Sequence, residues 1–244
     1  MKKTTLLNAA LFVILLCITT MMNAQTTLNQ NLNNKEKAIV RIASTTAKGD
    51  LIKLKEELNT GLDAGLTINQ IKESIVHLYA YCGFPRSIRG LQTFMTVLDE
   101  RKAKGITDVV GAEASPIKEE STKYERGKVI LEKLTGAKQD GQKTGYSAFS
   151  PEMDTFLKEH LFADIFERDV LTYAERELVT ISVIATIGDA EPMLKSHLNI
   201  CLNVGLTPSQ LKDFINVIKA TTDNKQAKAA QKVLDEVLNA KGKI

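Results

Sequence analysis

The chain has 244 residues, of which 43% are hydrophobic and 25% are charged, and it contains no tryptophan. This composition is typical of a soluble globular protein with a sizeable core, and the abundance of Leu, Ala, Ile, Lys and Glu favours helices over strands. The net charge is only +3, and basic residues are interspersed with acidic ones. No continuous basic surface is indicated, so we expect no nucleic-acid partner.

Residues 1–24 have the pattern of a secretory signal peptide. Lys2 and Lys3 precede an apolar run at 11–17, and small or polar residues lead to a predicted cleavage after Ala24. The mature protein is then expected in the periplasm or outside the cell, without stable membrane insertion, because the apolar run is short for a membrane span. A retained anchor is the alternative. The next segment, 25–34, is polar and asparagine-rich and predicts a flexible lead-in.

Helical spacing of apolar residues begins at Lys35 and continues to about residue 104. A first helix is predicted to end at 48–50, and a second, rich in leucine, is predicted to close at Gly65. Thr67 is a candidate N-cap for a third helix, which the Gly-Phe-Pro sequence at 83–85 should break.

The same order returns about 140 residues later, with predicted helices at 174–186 and 194–204. Residues 59–67 match residues 199–207 closely, and both segments place a glycine just after a helix and a threonine at the next N-cap. This repetition predicts two copies of one helical module, at 35–104 and 122–242, joined by a linker at 105–121. The two copies could pack as an internal pseudo-dimer.

The second module has additional elements before the repeated part. A helix is predicted from about 122 to 136, followed by a polar loop at 139–150. Ser150 and Pro151 then resemble the cap and the first residue of another helix. Its predicted buried stripe consists of Met153, Phe156, Leu157 and Leu161.

Several segments resemble the carboxymuconolactone decarboxylase / alkylhydroperoxidase D-like family. They are 124–127, 174–179, 194–197 and 203–207 in the second module, and the sequence Tyr-Ala-Tyr-Cys-Gly-Phe-Pro at 79–85 in the first. The equivalent of that signature in the second module, 220–225, has diverged. The resemblance implies an all-α fold of tandem helical-bundle modules of the alkylhydroperoxidase D-like type, a small-molecule substrate and a homo-oligomer.

Two branches of that family imply different chemistry. The peroxidase branch uses a C-x-x-C pair followed by histidine, but carrying this motif onto His197 places Ala190 and Met193 at the cysteine positions. The decarboxylase branch lacks these cysteines and retains the histidine. The resemblance therefore implies acid–base catalysis by His197, with Glu177 orienting the imidazole or relaying a proton.

Four further residues are candidate substrate contacts. Arg176 could clamp a substrate carboxylate, although it and Glu177 point about 100° apart on a helix, so we expect one of the two to be solvated. Cys201, on the same helix face as His197, Tyr81 and Arg86 are the others. His77, four residues before Tyr81, could line a pocket in the first module, although a solvated helix face is the favoured interpretation. No metal site and no cofactor are predicted, since no metal-binding spacing or glycine-rich phosphate loop occurs.

The sequence thus predicts an exported enzyme that performs cofactor-free acid–base chemistry on a small carboxylate or lactone. One alternative is a thiol-dependent peroxidase that uses Cys82 and Cys201, which could pair in an oxidising compartment or simply be buried as small hydrophobic residues. The other is a non-catalytic binding or assembly module. The diverged second signature and Glu57, which stands where the second module has His197, favour this last interpretation.

Overall fold

A computed structural model describes residues 31–118 and 120–241, and within these ranges the chain is all-α, as predicted. The predicted signal peptide and most of the predicted lead-in lie outside the described residues. The helices are α1 (Asn34–Lys48), α2 (Leu51–Asp63), α3 (Ile68–Ala103), α4 (Lys123–Thr135), α5 (Gly145–Phe149), α6 (Pro151–Phe156), a π-helix (Leu157–Phe166), α7 (Tyr173–Ile187), α8 (Glu191–Asn203), α9 (Pro208–Thr221) and α10 (Asn224–Lys241).

Local sequence signals account for most helix ends. Four helices, α1, α3, α7 and α9, begin with a capping box, in which the cap side chain and the third helical residue satisfy each other's backbone N–H groups. Gly65 and Gly205 follow α2 and α8 with φ of 89° and 100°, a region that favours glycine. Gly83, with φ 80° and ψ 162°, interrupts α3 before Pro85, which confirms the predicted break.

Helices α1 and α7 pack against each other at the centre of the molecule. Helix α3 packs across α7, and α9 packs across α1. The central helix of each half is therefore in contact with a helix from the other half. Each crossing carries an ion pair, Arg176 with Glu73 and Lys37 with Asp213. One hydrophobic core runs through both halves. From this reciprocal packing we propose that the two modules are arranged as an internal pseudo-dimer.

A second, smaller core lies between α4, the π-helix and α8. Gly127 of α4 lies against the backbone of Lys158, so closely that a Cβ at this glycine would overlap the Lys158 carbonyl. The absence of a side chain there lets α4 approach the π-helix, which carries Phe166 towards α3.

The region before the π-helix differs from the prediction in three respects. A short helix, α5, forms within the predicted loop, and Ser150 makes no side-chain cap bond to α6. Met153 and Phe156 are exposed instead of buried, whereas Leu161 is buried as predicted. The π-helical winding that starts at Leu157 shifts the phase of the helix, so the regular spacing used for the prediction does not hold across it.

Among residues 31–118 and 120–241, no helix combines the length and the apolar composition that crossing a membrane would require.

Candidate functional site

A polar cluster lies inside the core where α3 from the first half crosses α7 from the second. Helix α3 contributes Glu73, His77 and Tyr81, which are spaced four residues apart and therefore share one face. Helix α7 contributes Arg176 and Thr180 with the same spacing. Tyr81 is partly buried, and the other four side chains are buried. The cluster therefore exists only because the two halves pack together.

Glu73 forms ion pairs with two arginines, Arg168 and Arg176. The Arg176 Nη2 donates to its Oε1 at 2.7 Å, and Arg168, in the turn before α7, donates from Nε to Oε1 at 2.9 Å and from Nη2 to Oε2 at 3.0 Å. Burial tends to raise the pKa of the Glu73 carboxyl, but the hydrogen bonds from Arg168 and Arg176 outweigh burial and hold this pKa below its usual value. Glu73 therefore stays ionised and compensates the charge of the buried Arg176.

His77 lies between Arg176 and Thr180, which in turn contacts the candidate residue Tyr81. The Arg176 Nη1 lies 3.2 Å from its Nδ1, and the Thr180 hydroxyl lies 2.9 Å from its Nε2. Phe166 of the π-helix covers the ring edge to face, at 4.9 Å between ring centroids. Burial, together with the charge of Arg176, lowers the pKa of His77 well below its usual 6.5, so the imidazole is neutral.

His197 and Glu177 form a pair on another side of α7. The Nδ1 of His197 lies 2.8 Å from Oε2 of Glu177, whose side chain is fully buried, while the His197 side chain is 14% exposed. The Tyr81 ring meets the His197 ring edge to face at 6.1 Å between centroids. Among the described residues, Glu177 Oε1 and His197 Nε2 have no hydrogen-bond partner. The pair thus leaves one imidazole nitrogen available for proton transfer.

The structure corrects the expectation that either Arg176 or Glu177 is solvated. Both side chains are fully buried, because α7 is surrounded, with α3 on one side and α8 on another. The guanidinium of Arg176 is occupied by Glu73, by His77 and by the carbonyl of Arg168 at 2.6 Å. Arg176 therefore holds the cluster together and is not placed to clamp a substrate carboxylate.

The structure corrects one further prediction, for His77, and shows where two other candidate residues lie. His77 lies in the core and not on a solvated face. Cys201 is fully buried, and burial raises the pKa of its thiol well above the usual range; its role as a substrate contact stays a prediction. Arg86 is exposed, and its guanidinium lies over Gly49 at the end of α1. The thiols of Cys82 and Cys201 are both free.

Sequence reasoning missed Glu73, Thr180 and Arg168 as members of the cluster. A signal was present, because Glu73, His77 and Tyr81 recur at four-residue spacing in a segment whose apolar residues, Ile71, Ile75 and Leu78, have helical spacing as well. Their partners on α7 could not be identified in this way, since no local spacing relates residues about 100 positions apart.

In the described ranges, no group of His, Cys, Asp or Glu side chains has a geometry that could hold a metal ion. The described side chains of this site can support proton transfer and hydrogen bonding.

The burial of neutral His77 predicts a pH dependence of stability. The unfolded chain takes up a proton at this position below about pH 6.5, whereas the folded state does not, so the free energy of unfolding falls as the pH falls. The slope contributed by one such group approaches ~1.4 kcal/mol per pH unit. Urea unfolding between pH 7.5 and pH 5 should show a smaller slope for His77→Gln than for the unchanged protein. An equal slope in His77→Gln and in the unchanged protein would refute this origin.

Fold and site together define a class of protein, an all-α bundle that presents a histidine–glutamate pair beside a buried hydrogen-bonded cluster. Residues 151–236 match the sequence model of the carboxymuconolactone decarboxylase family, so this part of the chain is similar to members of that family. The chain is also 26% identical over 121 residues to 4-carboxymuconolactone decarboxylase from Acinetobacter baylyi, an alignment that covers 49% of this chain and 90% of the relative. Both His197 and Glu177 lie in the matched range 151–236, whereas Tyr81 and His77 lie before it.

Proposed function

We propose that this protein is an enzyme that performs cofactor-free acid–base chemistry on a small carboxylate or lactone, in its simplest form the loss of CO₂ from a carboxylated lactone. The observation that carries the proposal is the His197–Glu177 pair, in which a fully buried carboxylate holds Nδ1 of a partly exposed imidazole at 2.8 Å. The similarity to a protein named 4-carboxymuconolactone decarboxylase supports the reaction class.

The reaction requires few groups. The bond between the ring carbon and the carboxylate breaks, CO₂ leaves, and the electron pair is delocalised through the conjugated ring into the lactone carbonyl to give an enolate. Protonated His197 then delivers its Nε2 proton to the ring carbon, and the neutral imidazole is reprotonated from solvent. The Glu177 carboxylate fixes the orientation of the imidazole through its contact with Nδ1.

The alternative of a thiol peroxidase has less support from the structure. Burial raises the pKa of Cys82 to about 11 and raises that of Cys201 well above its usual value. At neutral pH the reactive thiolate of Cys82 would therefore be about one part in ten thousand, and Cys201 is in addition inaccessible.

We propose one such site in each chain. The position equivalent to His197 in the first half is Glu57, which is paired with Lys53. Ala38 stands as many residues before Gly49 as Glu177 stands before Gly188, so the carboxylate partner is missing as well. The first half therefore contributes Tyr81 and His77 to the site of the second half instead of a site of its own.

The test is an assay of the purified mature protein with 4-carboxymuconolactone and related carboxylated lactones, and in parallel with peroxides and a thiol reductant. We expect CO₂ release from a lactone without added cofactor. Peroxide reduction that is lost in Cys82→Ser, with no lactone turnover, would favour the peroxidase. Absence of any turnover across both panels would contradict the proposal and favour the non-catalytic module.

We also propose export and self-association. Export rests on residues 1–24, which lie outside the described ranges. Self-association is supported by an apolar stripe on the second half of α3 with alternating spacing of four and three residues, as in paired helices. It consists of the exposed Phe84, Ile88 and Met95 and the partly buried Leu91 and Leu98.

Charge complementarity favours a second copy of the chain as the partner of this stripe. Arg86 lies near its beginning and Asp99 near its end, so an antiparallel pair would bring opposite charges together at both ends. Light scattering should give at least twice the mass of one chain, and the double variant Ile88→Lys, Met95→Lys should be monomeric. Ile52→Lys, at an isolated exposed residue, is the matched control. A monomeric unchanged protein would refute this interface.

A further inference from the structure

We propose that the Tyr81 hydroxyl is a catalytic hydrogen-bond donor to the enolate oxygen of the substrate, and that Arg176, His77 and Thr180 are positioning residues that keep its proton available. This inference rests on the function proposed above and adds a second group to the reaction. It follows from which residue donates and which accepts in each hydrogen bond of the series Arg176, His77, Thr180 and Tyr81.

The direction is set at Arg176, because a guanidinium can only donate. Its Nη1 lies 3.2 Å from Nδ1 of His77, which must therefore accept and carry no proton. The single proton of the neutral imidazole is then on Nε2. It points to the Thr180 oxygen at 2.9 Å, so Thr180 accepts this bond.

The donor and acceptor roles of Thr180 and Tyr81 follow in the same way. The Thr180 oxygen accepts from His77, and its own proton is donated to the Tyr81 oxygen at 3.2 Å. Tyr81 therefore uses its oxygen as the acceptor, and its proton has no acceptor among the described residues. A chain of donors that begins at a buried positive charge thus ends in a hydroxyl whose proton is free to bind a ligand.

The free hydroxyl lies next to the proposed acid. The Tyr81 ring packs edge to face on His197 with 6.1 Å between the ring centroids. Burial raises the pKa of the Tyr81 phenol, so the hydroxyl keeps its proton at neutral pH. A planar lactone next to both side chains could receive a hydrogen bond at its oxygen from Tyr81 and a proton at its ring carbon from His197.

A donor of this kind fits an enolate better than a neutral carbonyl. Negative charge develops on the carbonyl oxygen only when CO₂ leaves, and a fixed donor in a site largely shielded from water interacts most strongly with that charge. Because the donor chain is already assembled in the free protein, little reorganisation is needed during the reaction.

The test uses tetronic acid, a small lactone whose conjugate base is a stable enolate at neutral pH, and measures its binding to the full mature protein by calorimetry. Tyr81→Phe should weaken binding by roughly 10- to 100-fold, the usual effect of removing one donor to a charged acceptor. Thr180→Val, which keeps the shape of the side chain, should weaken binding by about 2- to 10-fold. Thr180→Ser, which restores the hydroxyl, should bind like the unchanged protein, a recovery that a purely steric role would not produce.

The outcomes separate the two proposals. Tyr81-dependent binding of tetronate without turnover of any lactone would overturn the proposed function and leave the donor role supported. Tetronate binding that is equal in Tyr81→Phe and the unchanged protein would overturn the donor role alone. If the unchanged protein binds no tetronate, both proposals are overturned. Circular dichroism of each variant confirms that it is folded before binding is compared.

Discussion

Replacing His197 with glutamine is expected to reduce kcat for lactone decarboxylation by roughly 10²–10⁴-fold, the usual contribution of a general acid. Glutamine is similar in length and can still donate a hydrogen bond to Glu177, but it cannot carry a transferable proton at neutral pH. The fold should survive, because the His197 side chain lies at the edge of the core and is 14% exposed. Steady-state kinetics of the purified variant, with its thermal unfolding measured alongside, check both statements.

Two companion variants sharpen this comparison. His160→Gln alters an exposed histidine that is hydrogen-bonded to Asp164, so its kcat should equal that of the unchanged protein. Glu177→Gln keeps the shape of the side chain but replaces the carboxylate that orients His197 with an amide, so its rate should lie between those of His197→Gln and the unchanged protein. Full activity in His197→Gln would remove this residue from the mechanism.

The second large effect is expected on stability. Glu73→Gln should lower the free energy of unfolding by about 3–5 kcal/mol, the usual cost of removing one partner from a buried ion pair. Arg176 is fully buried, and its charge would then lie in the core next to Arg168 without a compensating carboxylate. Denaturant unfolding followed by circular dichroism measures the difference between Glu73→Gln and the unchanged protein.

The matched control for this experiment is a surface ion pair that also joins two helices. Lys195 and Glu236 lie 3.1 Å apart on α8 and α10, with side chains 50% and 46% exposed, so Glu236→Gln should cost less than ~1 kcal/mol. The pH provides a second check. Because the folded-state pKa of Glu73 is lowered, its contribution is complete above its usual pKa of 4.5 and is lost as the pH falls further. The difference between Glu73→Gln and the unchanged protein should therefore shrink below pH 4.5.

Much of the secondary structure followed from local chemistry. The caps at Thr67 and Thr207, the glycines at 65 and 205 and the break at Gly83 were predicted and are observed. Each of these signals acts within about four residues, over which side chains and backbone groups meet irrespective of the rest of the fold. Where the helix changes its winding, at Leu157, the same reasoning failed and placed Met153 and Phe156 in the core.

The candidate site was only partly accessible from the sequence. Spacing and family resemblance identified His197, Glu177 and Tyr81 as functional candidates, but they assigned Arg176 to a substrate and His77 to the surface. Both assignments depend on which helix covers which face of α7, and this is determined by the packing of α3 onto it.

The sequence by itself determined that the chain is helical and where most helices begin and end, and it made His197 the candidate for acid–base chemistry. The tertiary structure decided that the two halves share one core and that residues about 100 positions apart form a single hydrogen-bonded chain. The physical reason is the range of the interactions. Caps, turns and periodicity are set by neighbours along the chain, whereas the burial and pairing of polar groups depend on surfaces that meet only when the chain is folded.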